Sequence, residues 1–450
     1  MATTYLNSPN GTGTDPQIAT FSMWFKLTKP EADECYLFSG GDGASNNSWL
    51  RIQGSDGQLY LRNRTSGSND CVIRTNAQYR DVNGWYHVVL KLNSTLGTAG
   101  DRATMYVNGQ EVTDLAANTD MTQNNLFHMF GSTQTHIGKR VNDGSTGNVG
   151  GFLASHVHFC DGYAYDASYF GSTDTTTGEW KINTNPNVTY GTRGFFILKD
   201  GNSLTDQSPN SNNFTVGAGT LTNYKDCPSN VFSTMNSLAN FETQWALFEN
   251  NNTYVRSAGT GEAFIASTLG IPPTSGKFYT EVKYTQGGSA SNIGISGRMN
   301  PTAAGDYVGN KADSYAYRQN GEKKSDDVSS SYGDSYAPGD IIGIAVDATN
   351  SKIYFSKNGV WQNSGNPESG ATGTGAAFTI STTPTDGFYF MACAKESGSD
   401  KNYYAWNFGN GFFQTSAVAD NSTATASTPG VFNYAVPTGY QPLSTKGLNA

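Results

Sequence analysis

Two runs of alternating apolar and polar residues around a short polar turn form the most regular pattern in the chain. The first run covers residues 341–346, the turn covers residues 347–351, and the second run places Ile353 and Phe355 on one face. Alternation with a period of two, interrupted by Asp, Asn and Ser, predicts a β-hairpin.

A second turn follows this hairpin at Asn358-Gly359. This dipeptide readily adopts the two positive φ angles of a type I′ turn, so the sequence predicts another antiparallel strand from Val360 onwards. Because that strand would pair with the strand before it, Trp361 is predicted to be a core residue.

Short alternating runs separated by clusters of Gly, Asn, Asp and Ser also recur in the first half of the chain. They include residues 21–27, 35–38, 49–52, 59–62 and 71–74. No long helical periodicity interrupts them, and a chain of 450 residues is too long for one ordinary core. We therefore predict an all-β protein of two antiparallel β-sandwich domains, jelly-roll-like, followed by a short irregular C-terminal tail.

Four segments of the second half, taken in order, resemble strands of SPRY domains. They are residues 276–282 (GKFYTEV), 292–296 (NIGIS), 339–361 (GDIIGIAVDATNSKIYFSKNGVW) and 387–391 (GFYFM). The resemblance covers residues 236–416. It implies a bent β-sandwich that serves binding and has no catalytic activity of its own.

Motifs of the first half resemble the laminin-G-like, concanavalin-like sandwich. A Trp-Tyr-His-Val strand at residues 85–91 precedes a Tyr-Val-Asn-Gly hairpin at residues 105–111, and two further strands of the family pattern follow at residues 136–139 and 151–159. The resemblance implies a fold without selecting a function, since this sandwich occurs in lectins, hydrolases and structural modules.

The run from the laminin-G-like motifs through Phe232, residues 85–232, also resembles a module of virion proteins from tailed bacteriophages, especially marine ones. In those proteins a segment similar to residues 226–232 (DCPSNVF) leads into a SPRY-like domain. We accordingly predict a laminin-G-like/concanavalin A-like domain at residues 1–230, a SPRY-like domain at residues 236–416 and a Ser/Thr/Pro-containing tail at residues 417–450.

Composition narrows the classes of partner. The net charge is −9 and only 14% of the residues are charged, so a surface that follows nucleic-acid phosphates is not expected. Five widely spaced cysteines form no CxxC pair, which predicts free thiols. Neither a secretory leader nor an apolar run of membrane-spanning length is recognisable, which predicts synthesis in a host cytoplasm without membrane insertion.

Candidate catalytic and metal-binding groups are few. Glycosidases of the concanavalin-like fold need a carboxylate pair, and residues 31–34 (EADE) have the wrong spacing for one, so we predict no catalytic residue and no enzyme activity.

Asp-containing turns at residues 40–43 and 142–144 offer oxygen ligands to Ca²⁺, although Asp and Asn are also ordinary turn residues. His156 and His158 are predicted to share one face of a strand, where a buried pair is favoured over a metal site. No metal or cofactor is therefore predicted, with Ca²⁺ as the alternative.

Five tyrosines in Gly/Ser/Asp-rich segments are the predicted ligand-binding residues. SPRY domains build their binding loops in such segments, and tyrosine can stack on a sugar ring while donating a hydrogen bond. Against this, half of them would face the core if they lie on strands. The five are Tyr307, Tyr315, Tyr317, Tyr332 and Tyr336.

Together these features predict a surface protein of a tailed-phage virion, of the tail-fibre or appendage type, that adheres to host cell-surface glycans. Its predicted partners are other virion proteins and host glycans. Several copies are expected on each particle, and a homo-oligomer is compatible with that role. Two alternatives stand beside it. One is a capsid-decoration or collar protein without a specific ligand, and the other is a polysaccharide depolymerase, which the lack of a carboxylate pair disfavours.

Overall fold

The chain, represented by a computed structural model, forms two compact units, Met1–Asn223 and Tyr224–Ala450, each with its own hydrophobic core. The structure describes residues 4–29, 34–130, 135–141, 151–199, 201–239, 245–259, 261–288, 290–300, 306–420 and 430–449. Among these residues, no helix combines the length and the hydrophobicity that a membrane span requires.

The first unit is a sandwich of an eight-stranded and a six-stranded antiparallel sheet, with a separate two-stranded ribbon and three short 3₁₀ turns, Ala99–Asp101, His128–Phe130 and Ala167–Tyr169. Its strands are β1 (Tyr5–Asn7), β2 (Ile18–Leu27), β3 (Cys35–Gly41), β4 (Asn47–Ile52), β5 (Gln58–Thr65), β6 (Ser68–Gln78), β7 (Tyr86–Asn93), β8 (Ala103–Val107), β9 (Gln110–Glu111), β10 (Leu115–Thr119), β11 (His136–Ile137), β12 (Phe152–Asp161), β13 (Gly171–Thr173), β14 (Trp180–Ile182), β15 (Phe195–Ile197) and β16 (Thr215–Ala218). The eight-stranded sheet has the order β10-β6-β5-β4-β3-β11-β1-β16, the six-stranded sheet has the order β15-β12-β2-β7-β8-β9, and β13 pairs with β14.

The core of the first unit consists of apolar side chains at every second position of its strands. On β2, Phe21, Met23 and Phe25 all face inward and are fully buried. Phe21 stacks on Phe38 of the opposite sheet with the ring centroids 4.3 Å apart. Because successive side chains of a strand point to opposite faces, the residues between them face outward.

The outer face of the six-stranded sheet is buried as well. Residues 162–190 cross this face, and Phe170 and Tyr190 pack there against Val89 of β7 in a second apolar cluster. By contrast, Tyr60, on the outer face of the eight-stranded sheet, is only half-buried. At Tyr60, this second outer face is partly accessible to solvent.

The second unit is also a sandwich of two sheets, accompanied by a two-stranded ribbon. Its described residues include one helical turn and the 3₁₀ turns Ser237–Ala239, Gln362–Ser364 and Pro367–Thr372. Its elements are β17 (Trp245–Glu249), β18 (Tyr254–Ser257), β19 (Ala263–Ile271), β20 (Lys277–Gln286), β21 (Ser291–Ser296), β22 (Ser314–Arg318), β23 (Glu322–Ser325), β24 (Val328–Ser331), β25 (Ile341–Asp347), β26 (Lys352–Lys357), β27 (Val360–Trp361), β28 (Phe378–Thr379), β29 (Tyr389–Lys395), β30 (Tyr403–Asn407), β31 (Phe412–Phe413), β32 (Ser416–Ala417), β33 (Gln441–Pro442) and α1 (Thr445–Leu448).

One sheet of the second unit runs β17-β18-β30-β20-β25-β26-β27, with β28 beside β26 and β33 parallel to β20. The other sheet runs β19-β29-β21-β22-β23-β24, and β31 pairs with β32. The predicted fold class, all-β with antiparallel sandwiches, is confirmed.

The predicted hairpin is formed by β25 and β26, with Ile344 opposite Phe355. Asn358 and Gly359 have φ angles of 48° and 81°, as a type I′ turn requires. The prediction that Trp361 is a core residue is wrong. Trp361 is half-buried because β27 is a two-residue strand at the edge of the sheet, paired only with β26.

The C-terminal segment packs on the outer face of the nine-stranded sheet. Phe432 and Tyr440 are buried there against Tyr279 and Tyr354, which point away from the interior of the sandwich. Residues 421–429, the most Ser/Thr/Ala-rich part of the predicted tail, lie outside the described residues. The described part of the tail thus covers an apolar sheet face.

A buried carboxylate joins this segment to the sheet. Glu281 of β20 is fully buried. It accepts hydrogen bonds from the backbone N–H groups of Asn433 and Tyr434, both at 2.8 Å. It also accepts hydrogen bonds from the Tyr279 hydroxyl at 3.2 Å and from Asn407 Nδ2 at 3.3 Å. Four donors therefore converge on one side chain, two of them from the tail backbone.

Burial raises the pKa of the Glu281 carboxyl from 4.5 to about 7, although the hydrogen bonds from Asn433 and Tyr434 act in the opposite direction. The folded protein consequently binds this proton more tightly than the unfolded chain does. The stabilisation that follows is complete below pH 4.5 and is lost as the pH rises through about 7.

We expect Glu281→Gln to remove this pH dependence, because glutamine does not titrate. Raising the pH from about 5 to about 8 should therefore lower the Tm of the wild-type chain relative to that of the variant. Scanning calorimetry of the full chain at the two pH values measures the difference.

Glu368→Gln is the matched control. Glu368 also holds the tail, accepting the backbone N–H of Thr438 at 2.6 Å, but its pKa is lowered by that contact. The Glu368 carboxyl therefore finishes titrating below this pH range. The difference in Tm between the Glu368→Gln variant and the wild type should consequently stay the same from about pH 5 to about pH 8. A Glu281→Gln variant whose Tm falls relative to the wild type as the pH rises contradicts the account.

The two tryptophans of the second unit should differ in their contribution to stability. Trp406 is fully buried and stacks on Phe408 with the ring centroids 5.4 Å apart, whereas Trp361 is half-buried. We expect Trp406→Ala to lower the free energy of unfolding by about 3–5 kcal/mol and Trp361→Ala to lower it by less than half as much. Urea denaturation measures both, and equal losses would be incompatible with these positions.

Candidate ligand-binding face

The structure places four of the five predicted ligand-binding tyrosines in the core of the second unit. Tyr315, Tyr317, Tyr332 and Tyr336 are each at most 8% exposed and belong to the main apolar cluster. Tyr315 and Tyr317 are buried because β22 is a strand in the middle of its sheet. The expectation that these four line an exposed loop surface is therefore wrong.

Tyr307 is half-buried, but both its ring and its hydroxyl are engaged. Its hydroxyl donates to Asp327 at 2.7 Å and accepts from Lys324 Nζ at 2.8 Å. The same Nζ lies 4.8 Å from the centroid of the Tyr307 ring. Lys324 also pairs with Glu396 at 2.8 Å, so Tyr307 belongs to an ion-pair network rather than to an open stacking surface.

His156 and His158 lie on β12, as predicted, but a β-bulge separates Ser155 from His158 and His156 has a φ of 48°. Both rings are buried. His158 stacks on Phe196 with the centroids 3.9 Å apart, and burial together with the neighbouring His156 lowers its pKa well below the ordinary value. The described residues contain no group of three His, Cys, Asp or Glu side chains placed to hold a metal ion.

The acidic turns considered for calcium or catalysis are only partly described. Asp42 is exposed in its turn, and residues 142–144 and 31–33 lie outside the described residues. Glu34 is described, and its carboxylate pairs with the Arg51 guanidinium and accepts the Tyr36 hydroxyl at 2.6 Å. Its contacts lead to the outer face of the eight-stranded sheet of the first unit.

That outer face carries a regular pattern of arginine and aromatic side chains. On β4, Leu50 faces the core while Trp49 and Arg51 face outward, and β5 repeats the pattern with Tyr60 and Arg62 outward. We name the set the arginine–aromatic face, and its members are Tyr36, Trp49, Arg51, Tyr60, Arg62, Arg64, Arg74 and Arg140.

The strand register puts cations beside rings. Trp49 lies opposite Arg62, and Tyr60 lies opposite both Arg51 and Arg74. The guanidinium carbons of Arg51 and Arg62 lie 4.3 and 4.5 Å from the Trp49 ring centroid, and those of Arg51 and Arg74 lie 5.1 and 5.8 Å from the Tyr60 centroid. Stacking of this kind holds each guanidinium in one orientation and leaves its N–H groups directed sideways.

The arginines of this face divide into two kinds. Arg51 pairs with Glu34, and Arg74 pairs with Asp56 at 2.5 Å. Arg62 donates only to the amide oxygen of Asn47, at 2.8 Å, and has no carboxylate partner among the residues that the structure describes.

Arg64 resembles Arg62. Its guanidinium donates to two backbone carbonyls, those of Gly67 at 2.8 Å and Ala44 at 3.2 Å, and it too lacks an ion pair with any described residue. The pKa of Arg62 is lowered, first by burial and then by repulsion from Arg64 and Arg140. Arg64 and Arg140 are therefore close enough to Arg62 to disfavour its charged form.

The sequence contains a signal for this face that the tyrosine prediction overlooked. The residues on either side of Leu50 and of Leu61, namely Trp49, Arg51, Tyr60 and Arg62, are aromatic or arginine rather than Ser, Thr or Asn. In a chain with few charges, arginine on successive outward positions of neighbouring strands indicates a selected surface.

Comparison with known families agrees with the two sandwiches. Residues 1–150 match the concanavalin A-like lectin/glucanases superfamily, and residues 277–400 match the SPRY domain. A search of curated proteins found no match.

Three similar solved structures all have low identity to the chain. The SPRY domain of human HERC1 is 17% identical, with 36% of this chain and 94% of that one covered and a TM-score of 0.28. The native heptameric SAP-like pentraxin from Limulus polyphemus is 17% identical, with 49% and 90% covered and a TM-score of 0.30. A human SPRY domain is 16% identical, with 36% and 94% covered and a TM-score of 0.27.

The family matches and the fold lead to one conclusion about the parts of this protein. The first unit contains a concanavalin A-like domain and the second contains a SPRY domain, two kinds of β-sandwich that typically serve as binding or scaffold modules.

Proposed function

We propose that this protein is displayed on the particle of a tailed bacteriophage and binds glycans of the host cell through the arginine–aromatic face. The particle assignment is supported by the resemblance of residues 85–232 to modules of phage virion proteins. The binding assignment is supported chiefly by one observation, the set of guanidinium groups stacked on rings across β4 to β6, of which Tyr60, Arg62 and Arg74 are half-buried and therefore partly accessible.

Such a lattice suits sugars because it offers many fixed hydrogen-bond donors. A glycan presents hydroxyl, ether and carbonyl oxygens, and each guanidinium has five N–H donors in a rigid plane. Stacking on Trp49 and Tyr60 orders the arginine side chains before a ligand arrives. Less side-chain entropy is then lost on binding, which favours affinity.

The same face favours binding over hydrolysis. A glycosidase needs one carboxyl to donate a proton and another to act as nucleophile or base. The carboxylates of Glu34 and Asp56, which adjoin the face, are each paired with an arginine. We accordingly propose adhesion rather than depolymerisation, and a site that works without a cofactor.

Many copies on one particle would compensate for a weak single site. A shallow sheet face gives little affinity for one sugar unit, but multivalent display raises avidity by about 10² to 10⁴ over the single-site affinity. Other virion proteins are the partners that would hold the copies in place, and a homo-oligomer would serve the same end.

We expect beads that carry the full chain to bind host cells, and the double variant Tyr60→Ala/Arg62→Ala to reduce this binding at least about ten-fold, since it removes one ring and one guanidinium. The Tm of the first unit should change by only a few degrees. Tyr169→Ala is the control, because Tyr169 is 42% exposed on the same unit but lies outside the arginine–aromatic face.

Wild-type beads that ignore host cells, combined with normal adsorption of virions lacking the protein, would exclude adhesion. A decoration or collar role without a specific ligand would then take its place.

A further inference from the structure

The arginine–aromatic face concentrates positive charge in a chain whose net charge is −9. Five of its eight members are arginines, and Glu34 and Asp56 neutralise two of them, Arg51 and Arg74. The excess positive charge lies at Arg62 and Arg64, whose partners among the described residues are uncharged oxygens.

No carboxylate among the described residues balances Arg62 or Arg64. Arg62 is half-buried beside the Trp49 ring, and Arg64 lies two residues further along β5, also half-buried on the same face of the strand. Gathering like charges on a partly desolvated surface costs free energy unless an anion joins them. A bound acidic group would offset that cost and accept the remaining guanidinium N–H donors.

We infer that the first unit binds an acidic glycan, with the carboxylate of a uronic-acid-type sugar seated between Arg62 and Arg64. This inference rests on the proposed function and specifies the ligand class. A carboxylate matches the planar fork of a guanidinium and can accept two parallel hydrogen bonds from it. The rings of Trp49 and Tyr60 keep the forks in place and leave the adjoining sugar to contact the half-exposed Tyr60.

A nucleic acid fits this face less well than an acidic sugar does. Single-stranded nucleic acids bind by stacking bases on open aromatic rings. Trp49 is only 2% exposed, and its indole is in contact with the guanidinium groups of both Arg51 and Arg62. The overall negative charge of the chain also opposes a dense polyphosphate, whereas a sugar polymer carries one carboxylate per residue at most.

Polygalacturonate and its fully methyl-esterified form test the inference, because they share a backbone and differ in the charge of the carboxyl group. Full-length protein is immobilised and titrated with each polymer. We expect the free acid to bind at least about ten-fold more tightly than the ester, and the binding to weaken as NaCl rises from about 50 to 500 mM.

The variant Arg62→Gln/Arg64→Gln should lose the preference for the free acid, and a Tm within a few degrees of the wild type shows that it is folded. Arg256→Gln should bind as the wild type does. Arg256 is also stacked on a ring, at 5.7 Å from the centroid of Tyr403, but it lies in the second unit. Arg62→Lys keeps the charge and loses the planar fork, so it should bind the free acid with intermediate affinity.

Two outcomes overturn the inference in distinguishable ways. Equal binding of acid and ester, lost in the double variant, refutes the acidic ligand and leaves glycan binding at this face intact. Binding of single-stranded DNA but of no glycan refutes both the acidic-sugar site and the proposed function.

Discussion

Burial of alternate side chains between two sheets is the constraint on which both units depend. Because each strand sends every second residue inward, the inner positions must be apolar, and the outer positions are left for other uses. In the described parts of the chain, additional segments pack on three of the four outer sheet faces. Residues 162–190 cover one of them, Val308 contacts the second, and the segment from Phe432 to Tyr440 covers the third. The fourth carries the arginine–aromatic face.

Much of the fold was predictable because it follows from period-two alternation and turn chemistry. The hairpin of β25 and β26 and its Asn358-Gly359 turn are local features, and they formed as predicted. Trp361 shows the limit of such reasoning. Pairing with a neighbouring strand does not reveal whether a strand lies at the edge of its sheet, and an edge position leaves this side chain half-buried.

The site was harder to predict because alternation does not tell which face of a strand is inward. Tyr315 and Tyr317 were assigned to loops from Gly- and Ser-rich surroundings, yet both lie on the inner side of β22. Arg51, Arg62, Arg64 and Arg74 are spread over β4, β5 and β6, and the strand register brings them together. The hydrogen bonds of Glu281 with the tail join residues about 150 positions apart. No local pattern in the sequence predicts such a contact.

The central claim is that the arginine–aromatic face holds a preorganised set of guanidinium groups for an acidic sugar. A crystal structure of the protein with a short oligogalacturonate tests it most directly. The account predicts a sugar carboxylate within about 3 Å of guanidinium nitrogens of Arg62 and Arg64. An oligosaccharide seated instead on the second unit, with the arginine–aromatic face empty, would contradict it.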